Sequence, residues 1–342
     1  RGENWKNVVN NIPDLPPESP VSHVEPSVTF AGLAYCSFDR HMLDDFQPYI
    51  YRTTDFGRTW IDIRGNLPDD AYIWVVREDP RDPKVVYAGT EKGIFVSFSR
   101  GGNWVKLHMD NLPNVPVHDI LIHPQKNDLI LGTHGRGIWI FDKIAFLQEI
   151  SPELLGAEPY IFSIDSAMRF AAKPTRYGIG DREYRGQNPD YGALITYYLP
   201  EELSGAESIY LDILNEQRDV IRTLHDIPRK QGLNRIAWGL RGEPPVKREN
   251  NGEEEDSIFN GIEGPQVLPG TYTAHLVVSD KVYEKPVKVI LDPTLDVSME
   301  DLEIQHQYAV KLRDMQSALN QGIQALNTLR DQILDRKEAV RS

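Results

Sequence analysis

Short apolar runs rich in β-branched and aromatic side chains punctuate the N-terminal part of the chain. Residues 72–76, 85–88, 93–97 and 104–107 are examples, separated by Gly, Asp, Asn and Pro. Such runs predict short antiparallel strands, four to a unit. The units recur. Trp5, Trp60 and Trp104 are each followed by a turn, at Asn11-Ile12-Pro13, Asn66-Leu67-Pro68 and Asn111-Leu112-Pro113. The tryptophans lie 55 and 44 residues apart, Pro80 and Pro124 lie 44 apart, and Gly89-Thr90 and Gly132-Thr133 lie 43 apart. A period of ~40–50 residues with four strands is the pattern of propeller blades. An insertion over residues 39–48, expected between the first and second strands of its blade, accounts for the longer first spacing.

Each unit carries a sharper local motif. Thr53-Thr54-Asp55-Phe56-Gly57-Arg58-Thr59-Trp60 fits the pattern Ser/Thr-x-Asp-x-Gly-x-Thr-Trp, the Asp box. A tight hairpin explains those residue types: the carboxylate accepts N–H groups of the turn, Gly takes positive φ, and Trp packs beneath. Residues 97–104 are a second copy, with Gly101 and Trp104 kept and Ser99 in place of the Asp. Arg1-Gly2-Glu3-Asn4-Trp5 aligns with Arg100-Gly101-Gly102-Asn103-Trp104, so the chain is expected to begin inside a third copy. About three blades do not close a ring, which predicts further N-terminal blades as partners, on the same chain or a separate fragment.

Past Asp142 the period is lost. Residues 144–156 read as a closing strand or short helix, and 156–191 as an extended linker with five Arg or Lys between residues 160 and 189. Strands are predicted again at 193–199, 208–214, 220–224, 234–240, 270–279 and 281–291, as a small antiparallel sandwich over 192–296. The acidic stretch 249–256 reads as a solvated loop. It lacks the alternating ligand spacing of a calcium loop, so a structural Ca2+ there is the minor alternative and no cofactor is expected. From 297 to 342 the chain reads as a helix, the start of a helical hairpin, capped by Ser298 with Asp301. Leu312, Met315, Leu319, Leu326, Leu329 and Ile333 form a stripe that needs a covering partner, which the sandwich or, in preference, a second hairpin arm is expected to supply.

These motifs resemble the bacterial-neuraminidase-repeat superfamily, the propellers of sialidases, xyloglucan hydrolases and the sortilin ectodomain. The pattern is most similar to large exported bacterial proteins with a sortilin-like propeller. In these, an insertion like Asp44-Asp45-Phe46-Gln47-Pro48-Tyr49 precedes a final blade like Gly132-Thr133-His134-Gly135-Arg136-Gly137-Ile138-Trp139, followed by an Asn-Pro-x-Tyr-Gly-Ala segment, here residues 188–193. The resemblance implies a mainly β protein. Final blades of an incomplete Asp-box β-propeller over 1–155 would precede a sandwich of the immunoglobulin-like, flagellar-hook-capping type and a C-terminal α-helix.

The chain has 342 residues and a net charge of −14, which argues against nucleic acid as a partner, because clustered Lys and Arg are needed to neutralise phosphates. No stretch is long and apolar enough for a membrane-spanning helix. The one cysteine, Cys36, has no Cys or His neighbours of a zinc site, and no metal site is predicted. The densest functional groups lie in the insertion, Asp39 to Asp45. A glycosidase needs two carboxyls ~5–9.5 Å apart, and the adjacent Asp44 and Asp45 do not form such a pair alone. They are the catalytic candidates, each to be completed by a carboxylate from another blade. Asp55, Thr53, Gly57, Thr59 and Trp60 are read as structural. His41, His134 and Arg136 are the candidate ligand-binding residues, the last two in a hairpin turn of the final blade; there the competing reading is a hydrogen bond to a neighbouring blade.

These features together lead to the expectation of a non-catalytic, secreted, cell-surface or periplasmic binding or assembly protein, engaging protein or glycan partners through propeller loops. The alternatives are a xyloglucanase- or sialidase-like glycoside hydrolase, with residues partly on other blades, and a fixed accessory subunit of a larger complex.

Overall fold

The computed structural model describes residues 3–109, 111–151, 153–156, 158–170, 188–205, 208–247 and 263–340. It divides into two compact units, Arg1–Leu155 and Gly156–Ser342.

The first unit is a series of antiparallel meanders in sequence order. β1 (Val21–Pro26), β2 (Ala34–Phe38), β3 (Tyr49–Thr53) and β4 (Ile61–Asp62) form one sheet. β5 (Ile73–Glu78), β6 (Val86–Thr90), β7 (Gly93–Ser97) and β8 (Val105–Lys106) form the next, and β9 (Val117–Ile122), β10 (Leu129–Thr133) and β11 (Ile138–Phe141) a third. A 3-10 turn, Ile144–Gln148, follows. The insertion lies between β2 and β3, not between the first two strands. β1 had no signature to place it, because Val21 and Val24 are exposed and its buried residue is Glu25.

The sheets are stitched by their polar groups. Ser22 Oγ–H donates to Ile73 O (2.8 Å). Arg77 of β5 donates through Nη1 to Glu25 of β1 (2.7 Å) and through Nε to Ile120 O of β9 (2.8 Å). Farther out, Asn66 and Trp104 exchange two hydrogen bonds: Asn66 Nδ2 to Trp104 O (2.8 Å) and Trp104 N to Asn66 Oδ1 (2.7 Å). Asn11, the equivalent residue one unit earlier, donates to Gly57 O (2.8 Å). The Asn-x-Pro turns at Asn11 and Asn66 therefore each grip the next tryptophan-bearing hairpin. One core joins the first two sheets, with Leu33, Tyr35, Ile50 and Ile63 packed on Ile73, Val86, Phe95 and Trp104.

The second sheet approaches the third closely at Gly89. A Cβ there would lie 2.5 Å from Val117 O and 2.6 Å from Val75 Cγ1. Gly89→Ala is expected to lower stability by about 2 kcal/mol through overpacking against backbone, measured by urea unfolding. Loss of under ~0.5 kcal/mol would show that the sheets separate freely there.

In the second unit, β12 (Tyr160–Ile161), β14 (Ala193–Leu199) and β17 (Gly232–Trp238) form one sheet. The other contains β13 (Ala167–Arg169), β15 (Ile209–Leu214), β16 (Val220–Leu224), β18 (Gly270–Val278) and β19 (Lys281–Leu291), in the order β13-β19-β18-β15-β16. Inward residues of both, among them Ile195, Tyr197, Trp238, Leu211, Tyr272, Leu276 and Val287, share one core. The expected linker thus contributes two strands, β13 running parallel to β19. They are only two and three residues long, too short to show period-2 alternation. The acidic stretch 249–256 lies outside the described residues.

α1 (Met299–Ala339) spans 41 residues, about 60 Å at 1.5 Å per residue. Ser298 caps it, accepting the Asp301 N–H (3.1 Å) and donating to the Asp301 carboxylate (2.6 Å). As far as Asn320 it is tied to the sandwich loops: His306 to Gln266 O, Arg313 to Glu243 O, Ser317 to Val246 N and Asn320 to Val246 O. The predicted stripe, Leu312, Met315, Leu319, Leu326, Leu329 and Ile333, is exposed. No helix among the described residues is long and apolar enough to cross a membrane.

Candidate functional site

The two hairpins of the repeat are stabilised in the same way. Asp55 Oδ1 accepts the Thr59 N–H (2.9 Å) and the Thr53 hydroxyl (2.9 Å), and its Oδ2 accepts the Thr59 hydroxyl (2.7 Å). The Thr59 bonds lead in holding the Asp55 carboxyl down at about 2, so this group is ionised and committed to its own turn. Gly57 sits at φ +78° and Gly101 at φ +90°. In the second hairpin the Ser99 hydroxyl takes the carboxylate's place and accepts the Asn103 N–H (3.2 Å). Gly101 N–H donates to Ser97 Oγ (2.9 Å), as Gly57 N–H does to Thr53 Oγ1 (3.0 Å). These residues build turns.

The insertion carboxylates are engaged as well. Asp45 accepts Arg40 Nε (2.8 Å) and the Tyr49 hydroxyl (2.9 Å). Burial opposes its ionisation, but Arg40, the Gln47 N–H and Tyr49 prevail and hold it below the usual carboxylate range. Asp44 is exposed, with left-handed backbone at φ 58° closing the 3-10 turn His41–Leu43. Asp39 accepts His41 Nδ1–H (2.6 Å), which fixes that tautomer because a carboxylate only accepts.

The structure brings His41 and His134 onto one row of rings crossing all three sheets. His41 stacks on Tyr72 (centroids 4.9 Å, planes 16° apart) and lies 5.4 Å from Trp74. Trp74 packs against His118 (4.0 Å, planes tilted by 34°), and His118 against His134 (4.9 Å, 35°). Phe46, from the insertion, extends the other end against Tyr72 (6.0 Å). Tyr72 precedes β5, Trp74 is its second residue, and His118 holds the same place in β9. The Glu91 carboxylate sits below, accepting the Tyr72 hydroxyl (2.8 Å) and Trp74 Nε1–H (3.2 Å) from one oxygen.

Two of these rings, Tyr72 and His118, are held uncharged by their surroundings. Burial, followed by the Glu91 hydrogen bond, pushes the Tyr72 hydroxyl far above the ordinary phenol value, so it is a donor and not a phenolate nucleophile. Burial lowers His118, with His134 adding to the effect while Glu91 and Asp39 oppose it; its imidazole is therefore uncharged at neutral pH. Planar rings, with Tyr72 and Trp74 held by Glu91 and His41 by Asp39, form a stacking platform for sugar faces or for apolar and cationic side chains. Met42, Leu43 and Phe46 add exposed apolar surface from the insertion. Arg136 is exposed in the β10–β11 turn, where its carbonyl accepts Trp139 Nε1–H (3.0 Å).

Sequence reasoning named His41 and His134 and missed Tyr72, Trp74, Glu91 and His118. The repeat held the signal, since Trp74 and His118 lie 44 residues apart, the spacing of Trp60 and Trp104. Cys36 is buried, which pushes its thiol up to about 12 and leaves it unreactive. Among the described residues no cluster of three or more His, Cys, Asp or Glu could hold a metal ion.

No family model matches the sequence, and no curated protein matches it. Among solved structures it is similar to PorZ, an essential bacterial surface component of the type-IX secretion system of Porphyromonas gingivalis. The identity is 14%, covering 79% of this chain and 30% of that one, with a TM-score of 0.30. It is similar to the GH74 xyloglucanase from Xanthomonas campestris, with 12% identity, 78% and 38% coverage and a TM-score of 0.29. For YCF48 bound to D1 peptide the values are 8%, 78%, 67% and 0.26. The chain spans less than half of PorZ and of the xyloglucanase. Likeness at this level assigns neither a family nor an activity.

Proposed function

We propose that this chain is part of a non-catalytic binding or assembly protein acting at the cell exterior. In this reading the three meanders are sectors of a sortilin-like propeller with Asp-box hairpins, completed by further blades, and the second unit is an immunoglobulin-like sandwich. The row from Phe46 through Tyr72, Trp74 and His118 to His134 takes the protein or glycan partner. The observation that carries this is the row's continuity across sheet boundaries. A ligand lying along it would contact several blades, as propeller ligands commonly do through loops. The carboxylates around it argue against hydrolysis, since Glu91, Asp39 and Asp45 are each spent on neighbouring donors.

The test offers the whole chain β-glucans, xyloglucan and sialosides in solution, and peptides selected on phage for the protein arm. Binding without release of reducing ends is expected, weakened at least tenfold by Trp74→Ala, about 1.4 kcal/mol. Turnover abolished by Asp44→Ala and Asp45→Ala would establish the hydrolase reading instead. Ligands indifferent to both Trp74→Ala and His118→Ala would place binding elsewhere.

A further inference from the structure

In the second unit, a cavity of about 570 Å³ lies between α1 and the sandwich loops around residues 241–245 and 263–266, within the range of small-molecule sites. Three arginines line it: Arg169 from β13, Arg241 just after β17 and Arg313 from α1. Among the described residues the one acidic residue in its wall is Glu263, already paired with Arg241 (2.6 Å). The described wall thus holds more guanidinium groups than carboxylates, in a chain whose net charge is −14.

Arg169 is the unusual member. It is 6% exposed, and its guanidinium donates to two neutral acceptors, Val267 O (2.9 Å) and Gln305 Oε1 (3.0 Å). Among the described residues it has no carboxylate partner. Arginine does not shed its proton to relieve such burial, and a desolvated charge without a counter-charge is strongly disfavoured. Burial already pulls its pKa below the ordinary arginine value, and Arg241 adds to this against the opposing effect of Tyr191 and Tyr272. Each of the three guanidinium groups also keeps donors in reserve. Arg241 uses two of its five N–H groups, on Glu263 and on Gly264 O (2.9 Å). Arg313 likewise uses two, on Asp314 (2.6 Å) and Glu243 O (3.1 Å). His306 donates Nδ1–H to Gln266 O (2.8 Å), which leaves Nε2 to accept from a ligand hydroxyl.

We propose that this cavity binds a small molecule through an oxyanion group, a carboxylate or a phosphate, with Arg169 as the buried counter-charge and Arg241 and Arg313 as further ligands. The geometry of forked N–H donors suits either group. The site belongs to the second unit and is independent of the aromatic row.

The whole chain, titrated by calorimetry with sodium phosphate, glycerol 3-phosphate and citrate, is expected to show saturable 1:1 binding of at least one. Sodium chloride at matched ionic strength is expected to give none. A preference for phosphate and its ester over citrate assigns a phosphoryl ligand, and the reverse a carboxylate. Arg241→Gln, at a partly exposed position, is expected to weaken binding at least tenfold. Arg169→Met is expected to abolish it in protein whose circular dichroism is unchanged; should that variant not fold, Arg241→Gln and Arg313→Gln decide. Absence of saturable binding by all three anions, an equal response to chloride, or affinity unchanged in both Arg241→Gln and Arg313→Gln would overturn the proposal.

Discussion

Trp104→Ala is expected to cost the N-terminal unit about 3–5 kcal/mol, the usual loss for a large aromatic side chain taken from a packed core. Trp104 is 2% exposed and sits in the core shared by the first two sheets, beside Ile63, Leu67 and Phe95. Its indole N–H donates to Ile63 O (2.8 Å) across the sheet boundary, so the substitution removes both packing and the partner of a buried carbonyl. Domains hold ~5–15 kcal/mol in all, which puts the variant near the threshold of folding. Urea unfolding followed by circular dichroism measures the loss, and Trp104→Phe should fall between wild type and alanine. A deficit under ~1 kcal/mol would mean that the hairpin is an appendage and not part of the core.

Arg77→Met is expected to destabilise by about 3 kcal/mol at neutral pH, at the lower edge of values for a fully buried pair because Arg77 keeps some solvent contact. Its side chain ties β1, β5 and β9 through Glu25, Ile120 O and Asp119. Without it Glu25 keeps a carboxylate in a buried site. Burial already raises that group's pKa, with Arg77 the main opposing influence, so the variant should raise it further. A carboxyl raised on folding loses stability as pH climbs through the interval between its unfolded and folded values. The deficit of Arg77→Met should therefore be full at neutral pH and shrink on acidification through the carboxyl range. Adding Glu25→Gln should recover part of the neutral-pH loss. A deficit independent of pH, with no recovery in the double variant, would remove Glu25 from the explanation.

What could be read from the sequence followed its local chemistry. The hairpins announce themselves because each turn needs an acceptor, a positive-φ glycine and a tryptophan at fixed offsets, here Asp55, Gly57 and Trp60. Strands such as Gly270–Val278 show themselves because one face is buried and alternation survives. β1 was invisible because its inward group is Glu25, paired with Arg77 more than 50 residues away. The aromatic row was only half legible for a related reason. His41 and His134 stand in conspicuous loops, whereas Tyr72 and Trp74 look like ordinary strand residues until the sheets are set side by side. The charge imbalance at Arg169 is likewise a property of three segments meeting, and no single stretch of sequence contains it.

The insertion between β2 and β3 is braced internally, Asp39 holding His41 and Arg40 holding Asp45. None of the stitches between the sheets, at Ser22, Asn66, Arg77 or Trp104, passes through it. Evolution can therefore redraw this segment, exchanging Met42, Leu43 or Phe46 for other side chains, and so retarget one end of the ring platform while the scaffold beneath stays as it is.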